Sequence, residues 1–270
     1  MPWSLVVGNA AARTLWSFLN KPIIEVNHIY WHLFSVLLDR SIDDLPFPWI
    51  VLTASWWHNE IYIVTADGNK SINSNFFTLQ DLSIQQLWHT LDDAAGEAFD
   101  KVARMLWWDY PWWPWISTMA EGWKTNPRFD LKKILLDKKE NLLNFSFSGM
   151  KAQVRRLLEI NPLTTLWEQD IRDICYSFEQ TVDDILIHKI ASAQDIYSAG
   201  SILLVGGVSA NDTLYDKLKA RYEDSQIIYK PSDNSDSNIF FTENITIARP
   251  AKKIYSTDNA AMIWVVWLIS

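Results

Sequence analysis

Glycine is scarce in this sequence, with 8 residues in 270, where an ordinary soluble chain at about 7% would carry roughly 19. Few positions can therefore take positive φ, or let a backbone approach a ligand with no Cβ in the way. Cysteine is scarcer still. The single Cys175 cannot form an internal disulfide, which excludes a disulfide-built secreted scaffold and suits a reducing compartment. Long apolar runs are missing too: none reaches the roughly 20 residues of a membrane span, the stretch from Met262 to Ile269 included. No basic segment followed by an apolar core and a cleavage site opens the sequence, so a cytoplasmic protein with no membrane partner is expected.

Tryptophan stands where glycine is lacking. The chain carries 16 Trp, and the pairs Trp56-Trp57, Trp107-Trp108 and Trp112-Trp113 fall in segments that read as tight turns, beside Ala54-Ser55, Tyr110-Pro111 and Pro114. Indole is the wrong side chain for a backbone that must come close to a phosphate. The tryptophan surplus is close in size to the glycine deficit. We read many of these tryptophans as glycine positions, of the kind produced when UGA codons are translated under the wrong genetic code. The alternative is a chain enriched in Trp for stacking or interfaces.

A hydrophobic content of 49%, a charged fraction of 21% and 270 residues describe a globular chain long enough for a large core. The net charge of −8 argues against nucleic-acid binding over the whole surface. Between Lys124 and Arg156, however, nine basic residues face three acidic ones, a local patch suited to RNA or to an acidic partner unless it is simply a solvated helix face.

Apolar spacing predicts a helix over Ser4 to Leu19, a short strand over Ile23 to Val26 and a second helix over Asn27 to Leu38. Asp39 to Pro48 reads as a linker. Trp49 to Ala54 and Glu60 to Thr65 read as paired strands, with Asp67-Gly68 as a turn. Thr90 to Leu106 is expected as a helix with Asp92 and Asp93 at its positive end. Tyr110 to Pro114 is expected as a loop, Ile171 to Gln194 as a long amphipathic helix and Ser201 to Val205 as a buried strand. Gly206-Gly207 then leads into a helix from Asn211. Asp233 to Asn244 reads as a polar surface loop, and Asp258 as the start of the last helix. Strands alternating with helices imply an α/β fold.

Two motifs carry chemistry. His28 and His32 stand at i and i+4, on one helix face, where both can ligate one metal ion. Two ligands are not a site, and Ile29 stands where a metalloprotease would have its general-base glutamate. Asp258 is either a helix N-cap or a third, remote ligand. Val205-Gly206-Gly207-Val208-Ser209-Ala210-Asn211 is a strand, a glycine turn and a helix start, the arrangement in which backbone N–H groups receive a nucleotide. With Trp56-Trp57 and Trp112-Trp113 read as Gly-Gly, two further loops of the same kind appear.

Together these segments resemble the TsaD family, also called Gcp and historically O-sialoglycoprotein endopeptidases. The resemblance runs from Pro2 to Trp267 and is carried by Asn20-Lys21-Pro22, Val26-Asn27-His28 with His32, Ala54 to His58, and Thr90 to Lys101. It continues through Tyr110 to Pro114, Phe145 to Lys151, Gly206 to Asn211 and Thr257 to Met262. Family glycines correspond to Trp3, Trp31, Trp56, Trp57, Trp88, Trp112, Trp113 and Trp267.

The resemblance implies an actin-like ATPase (ASKHA) fold of two ribonuclease-H-like lobes, with residues 1–48 and the C-terminal helix 256–270 in the first and 49–255 in the second. It implies transfer of threonylcarbamoyl from threonylcarbamoyl-AMP to N6 of adenosine 37 in tRNAs reading ANN codons. His28, His32 and Asp258 would hold one divalent metal, Fe(2+), while Thr53, Ala54, Ser55, Trp56, Trp57, Asp100, Trp113, Ser117 and Asn211 would contact substrate. TsaB-like and TsaE-like proteins would be partners. Met1-Pro2-Trp3-Ser4 falls inside a Gly-Pro-Gly stretch of the family, so the preceding strands and phosphate loop are expected to be missing and the chain as written to be inactive. The rival readings are a non-catalytic actin-like scaffold of the same complex, a metallopeptidase and a kinase of the same superfamily.

Overall fold

The computed structural model describes residues 2–20, 25–55, 59–66, 77–107, 112–123, 128–133, 144–223, 226–229 and 241–269. Its centre is the apolar run expected as a strand, β1 (Trp49–Ala54), buried along its whole length. A strand covered on both faces reads as continuous rather than alternating hydrophobicity. β2 (Asn59–Ala66) pairs antiparallel with β1, and β3 (Leu82–His89) antiparallel with β2. On the other side of β1 lies β4 (Ser201–Val205), parallel to it. β5 (Gln226–Tyr229) and β6 (Phe241–Asn244) form a separate antiparallel pair, and β7 (Thr246–Ala248) continues the main sheet parallel to β4. The main sheet thus has the order β3-β2-β1-β4-β7.

The helices are α1 (Pro2–Leu19), α2 (His28–Phe34), α3 (Ala95–Met105), α4 (Trp112–Ala120), α5 (Ser148–Ile160), α6 (Glu168–Tyr197), α7 (Asp212–Tyr222) and α8 (Ala260–Ile269). Alternate residues of each strand point to opposite faces. Ile50, Leu52, Ile61, Ile63, Ile202 and Leu204 pack with α3 to α7, while Trp49, Val51, Tyr62, Val64, Leu203 and Val205 pack with α2 and α8. The register enforces this: Leu52 lies opposite Ile61 on one side and Leu204 on the other. Burying such a side chain contributes about 2 kcal/mol, so a charge at Leu52 would break the sheet's larger core. α1 differs, because Val7, Leu15, Trp16 and Phe18 on it are exposed.

Several expectations change. Asp92 and Asp93 do not cap α3, whose first N–H, that of Ala95, is instead received at 2.8 Å by the side chain of Asn59 on β2. Asp92 accepts from Phe147 N at 2.8 Å and from both Ser146 Oγ and Ser148 Oγ at 2.6 Å, which caps α5 instead. Asp93 pairs with Lys101 and Lys151 at 2.7 and 2.8 Å. Their hydrogen bonds outweigh its partial burial and hold its carboxyl below the usual range. Trp112, Trp113 and Pro114 open α4 rather than forming a loop. Proline is tolerated there because the first turn of a helix has no intrahelical acceptor for its missing N–H. Glu25 and Val26 lie in no strand, and Phe241–Asn244 is a strand rather than a loop. Ile23, Ile24, Asp67-Gly68 and residues 233–240 fall outside the described residues.

Candidate active site at the carboxyl ends of the parallel strands

Because β1 and β4 run parallel, Ala54-Ser55 and Gly206-Gly207 leave the sheet at the same edge. Gly206 has φ of +85°, and a Cβ on it would stand 2.7 Å from the carbonyl oxygen of Ala54. Glycine is required there on both counts. The short turn Gly207–Ala210 follows, closed by the N–H and hydroxyl of Ser209, which donate to the Gly206 carbonyl at 2.9 and 2.7 Å. Asn211 then caps α7, its side-chain oxygen accepting from Thr213 N at 2.8 Å and Leu214 N at 3.3 Å. In open α/β sheets this edge is where ligands bind.

The histidine motif is set by a second cap. Asn27 Oδ1 accepts from Ile29 N at 2.8 Å, starting α2 so that His28 and His32 project from one face with ring centroids 4.9 Å apart. Asn259, not Asp258, caps α8, accepting from Ala261 N at 3.0 Å and Met262 N at 3.2 Å. That leaves Asp258 turned to His32, with Oδ1 3.3 Å from Nε2. One ligand atom from each of His28, His32 and Asp258 lies within 4.8 Å of the others, so the three form a group able to hold a metal ion. Of the two expectations for Asp258, the cap is overturned, because Asn259 supplies it.

Long-range tethers bring these pieces together. Lys252 Nζ and Tyr255 Oη reach Asp39, just past α2, at 2.6 and 3.1 Å, and the lysine's hydrogen bond holds the Asp39 carboxyl below its usual range. Arg40 donates to the carbonyl of Arg249 at 3.0 Å. Ser256, two residues before Asp258, is buried with its hydroxyl 3.0 Å from that of Ser209 in the glycine turn. A hydrogen bond therefore links the segment carrying Asp258 to the glycine turn.

Of the other expected contacts, Thr53 and Ala54 are buried at the end of β1, with Thr53 Oγ1 donating to Glu60 O at 3.3 Å. Ser55 follows at the edge. Asp100 is buried on α3, a helix that packs against the 207–210 turn. The Ser117 hydroxyl on α4 is buried with no hydrogen-bond partner among the described residues. Trp113 lies in the first turn of α4, its side chain outside the described set, and Trp56 and Trp57 are outside it altogether. An apolar cavity of about 380 Å³ beside Met105, Trp107 and Leu163 contains none of these residues. Sequence reasoning passed over Glu179, which is 2% exposed on α6 and accepts from Asn211 Nδ2 at 2.9 Å. The available signal was an acid on the apolar stripe of Cys175, Phe178, Val182 and Leu186.

This sheet order, with a glycine turn at the carboxyl edge, defines an α/β protein with a mixed five-stranded sheet. The chain belongs to the TsaD family: the family described as "TsaD: tRNA N6-adenosine threonylcarbamoyltransferase" matches residues 1–265. Relatives of that name include those of Kosmotoga olearia, 34% identical over 97% of this chain and 66% of that protein, and Bacillus subtilis, 34% identical over 96% and 64%. The Thermosipho melanesiensis relative is 38% identical over 96% and 66%. The chain thus spans about two thirds of the length of these relatives. Among solved structures it is similar to an activator of 2-hydroxyisocaproyl-CoA dehydratase from Clostridium difficile with bound ADPNP, at a TM-score of 0.41 and 11% identity, covering 85% of this chain and 63% of that one. No helix among the described residues is long and apolar enough to cross a membrane.

Proposed function

We propose that this site serves the transfer of a threonylcarbamoyl group from threonylcarbamoyl-AMP to N6 of adenosine 37 in tRNAs that read ANN codons. The adenine amine attacks the carbamoyl carbon, a C–N bond forms, the bond from that carbon to the phosphate oxygen breaks, and AMP leaves as N6 gives up a proton. The observation that carries the reading is the arrival of His28, His32 and Asp258 beside a glycine turn to which Ser256 ties them.

The donor set fits a metal. Ligand atoms around one ion at about 2.1 Å lie roughly 3–3.5 Å apart, the separation already present between His32 and Asp258. Two imidazoles and one carboxylate with open positions suit Fe(2+). Such an ion, when bound, supplies charge neutralisation for phosphate and polarisation of the carbonyl. The chain's own residues do the positioning: the 206–211 turn offers backbone N–H groups to the nucleotide, Asn211 an amide N–H, and Ser117 a hydroxyl with no internal partner among the described residues. Thr53 to Trp57, Asp100 and Trp113 complete the substrate contacts in this reading. Residues 1–48 with 256–270 would belong to the first lobe and 49–255 to the second, and TsaB-like and TsaE-like proteins would assist. A non-catalytic scaffold would have no need of all three ligands.

The test is metal analysis after anaerobic loading with ferrous salt, alongside a mass-spectrometric assay for modified tRNA with partner proteins present. One ion per chain is expected, falling well below that in His28→Ala and Asp258→Ala, with loss of any transfer. Equal metal content in both variants would sink the assignment.

A further inference from the structure

Glu179 is a buried acid that the proposed reaction does not use directly. It sits in the middle of α6 among Cys175, Phe178 and Val182, at 2% exposure. A carboxylate in such a place costs free energy unless it is hydrogen-bonded, and an apolar residue of similar size would be the cheaper occupant. The carboxylate accepts a hydrogen bond from Asn211 Nδ2 at 2.9 Å. Asn211 is itself 5% exposed, and its Oδ1 is already engaged by the N–H groups of Thr213 and Leu214.

An Asn amide has one acceptor oxygen and two N–H donors. With the oxygen fixed by α7 and one N–H fixed by α6, the amide plane is determined from two directions, and its second N–H is left for a ligand. We propose that Glu179 is a positioning residue, holding the Asn211 amide so that this second N–H meets the adenylate at the β1/β4 edge. The assignment rests on the reading above that Asn211 contacts the nucleotide. Oriented this way, the amide needs no rearrangement on binding, which is how a pre-organised donor strengthens recognition.

The consequence separates acceptor from charge. Glu179→Gln still offers a carbonyl oxygen to Asn211 Nδ2, whereas Glu179→Leu offers none. Affinity for AMP, measured by calorimetry on the intact chain, is expected to fall about tenfold in Glu179→Leu, and by a similar factor in Asn211→Ala. The double variant should lose no more than either single one, and Glu179→Gln should stay within about twofold of the unaltered chain. Nitrogen–proton correlation spectra of the Asn211 side-chain amide supply a ligand-free readout: its resonance should shift and exchange faster in Glu179→Leu but not in Glu179→Gln. If circular dichroism shows Glu179→Leu unfolded, Glu179→Asp, which withdraws the carboxylate by one methylene, carries the same expectation. Weakened binding in Asn211→Ala with unchanged binding in Glu179→Leu, or additive losses in the double variant, would overturn the positioning role alone. No AMP binding by the unaltered chain, or full binding by Asn211→Ala, would overturn the nucleotide reading and the inference with it.

Discussion

Asp92 and Phe147, 55 residues apart, are joined by a 2.8 Å hydrogen bond from the Phe147 N–H to the Asp92 carboxylate. The same carboxylate takes the hydroxyls of Ser146 and Ser148, so one exposed acid organises the start of α5. Asp92→Ala is expected to lower stability by about 1–2 kcal/mol. Thermal unfolding followed by circular dichroism should show a midpoint lower by roughly 3–6 °C. An unchanged midpoint would mean that solvent replaces these bonds at no cost.

Burial pushes the Asp183 carboxyl up to about 8, with Glu179 one turn away adding to the rise and Lys217, 3.4 Å away, opposing it. Between the ordinary aspartate value near 3.8 and about 8 the native state keeps a proton that the unfolded chain releases, so this group's contribution to stability declines as pH rises through that window. Asp183→Asn removes the dependence. The variant should be more stable than the parent by about 2 kcal/mol at neutral to slightly basic pH, with the difference shrinking as pH is lowered toward the usual aspartate range. Denaturant midpoints across pH measure this, and a constant difference would show that Asp183 does not titrate as described.

Trp107 has φ of +62° and is 82% exposed just past the end of α3, the place where helices commonly end on a left-handed glycine. A side chain there is strained by about 1–2 kcal/mol, and this indole recovers little by burial. Trp107→Gly should stabilise the chain by about 0.5–1 kcal/mol after the glycine's greater unfolded-state freedom is counted. If tryptophans here are miscoded glycines, peptides from the native cell should carry glycine at Trp56, Trp57, Trp112 and Trp113. UGG codons at those positions would exclude that origin.

The basic run is less free than its count suggests. Arg128 is paired with Asp170 at 2.7 Å, Lys133 with Asp184 at 2.6 Å and Lys151 with Asp93 at 2.8 Å, while Lys124, Lys138 and Lys139 lie outside the described residues. Lys132, Arg155 and Arg156 stand exposed. Changing these three to Gln should flatten the salt dependence of tRNA binding by about 0.7–0.9 log units per lost phosphate contact. An unaltered slope would assign RNA contact to another surface.

The parts of the fold that sequence made legible are those where one local signal dominates. β1 and β4 are continuous apolar runs, and both lie where expected. The Asn27 and Asn211 caps mark helix starts within a residue. β3 was invisible because exposed Ser83, Gln85, Gln86 and His89, on both faces of a strand at the sheet's edge, interrupt its apolar pattern. Asp92 was misplaced because a cap can come from far along the chain, and the same is true of Asn59, which serves α3 from β2. For the site, the spacing of His28 and His32 placed two imidazoles on one face, but only the fold shows that Asn259 releases Asp258 from capping. Glu179 needed three dimensions, since its place on the apolar stripe of α6 marks it as buried but only the fold sets Asn211 beside it.

The bond between Lys252 and Asp39 spans 213 residues of chain. A ribosome delivers Asp39 and the histidine-bearing helix before it 213 residues ahead of Lys252, so this contact cannot close until the intervening chain has been made. Until then, the face of the sheet that carries Trp49 and Val51 has no α8 over it, and His28 and His32 wait without their carboxylate. The three-residue group of His28, His32 and Asp258 is thus complete only in a molecule whose sheet is already covered.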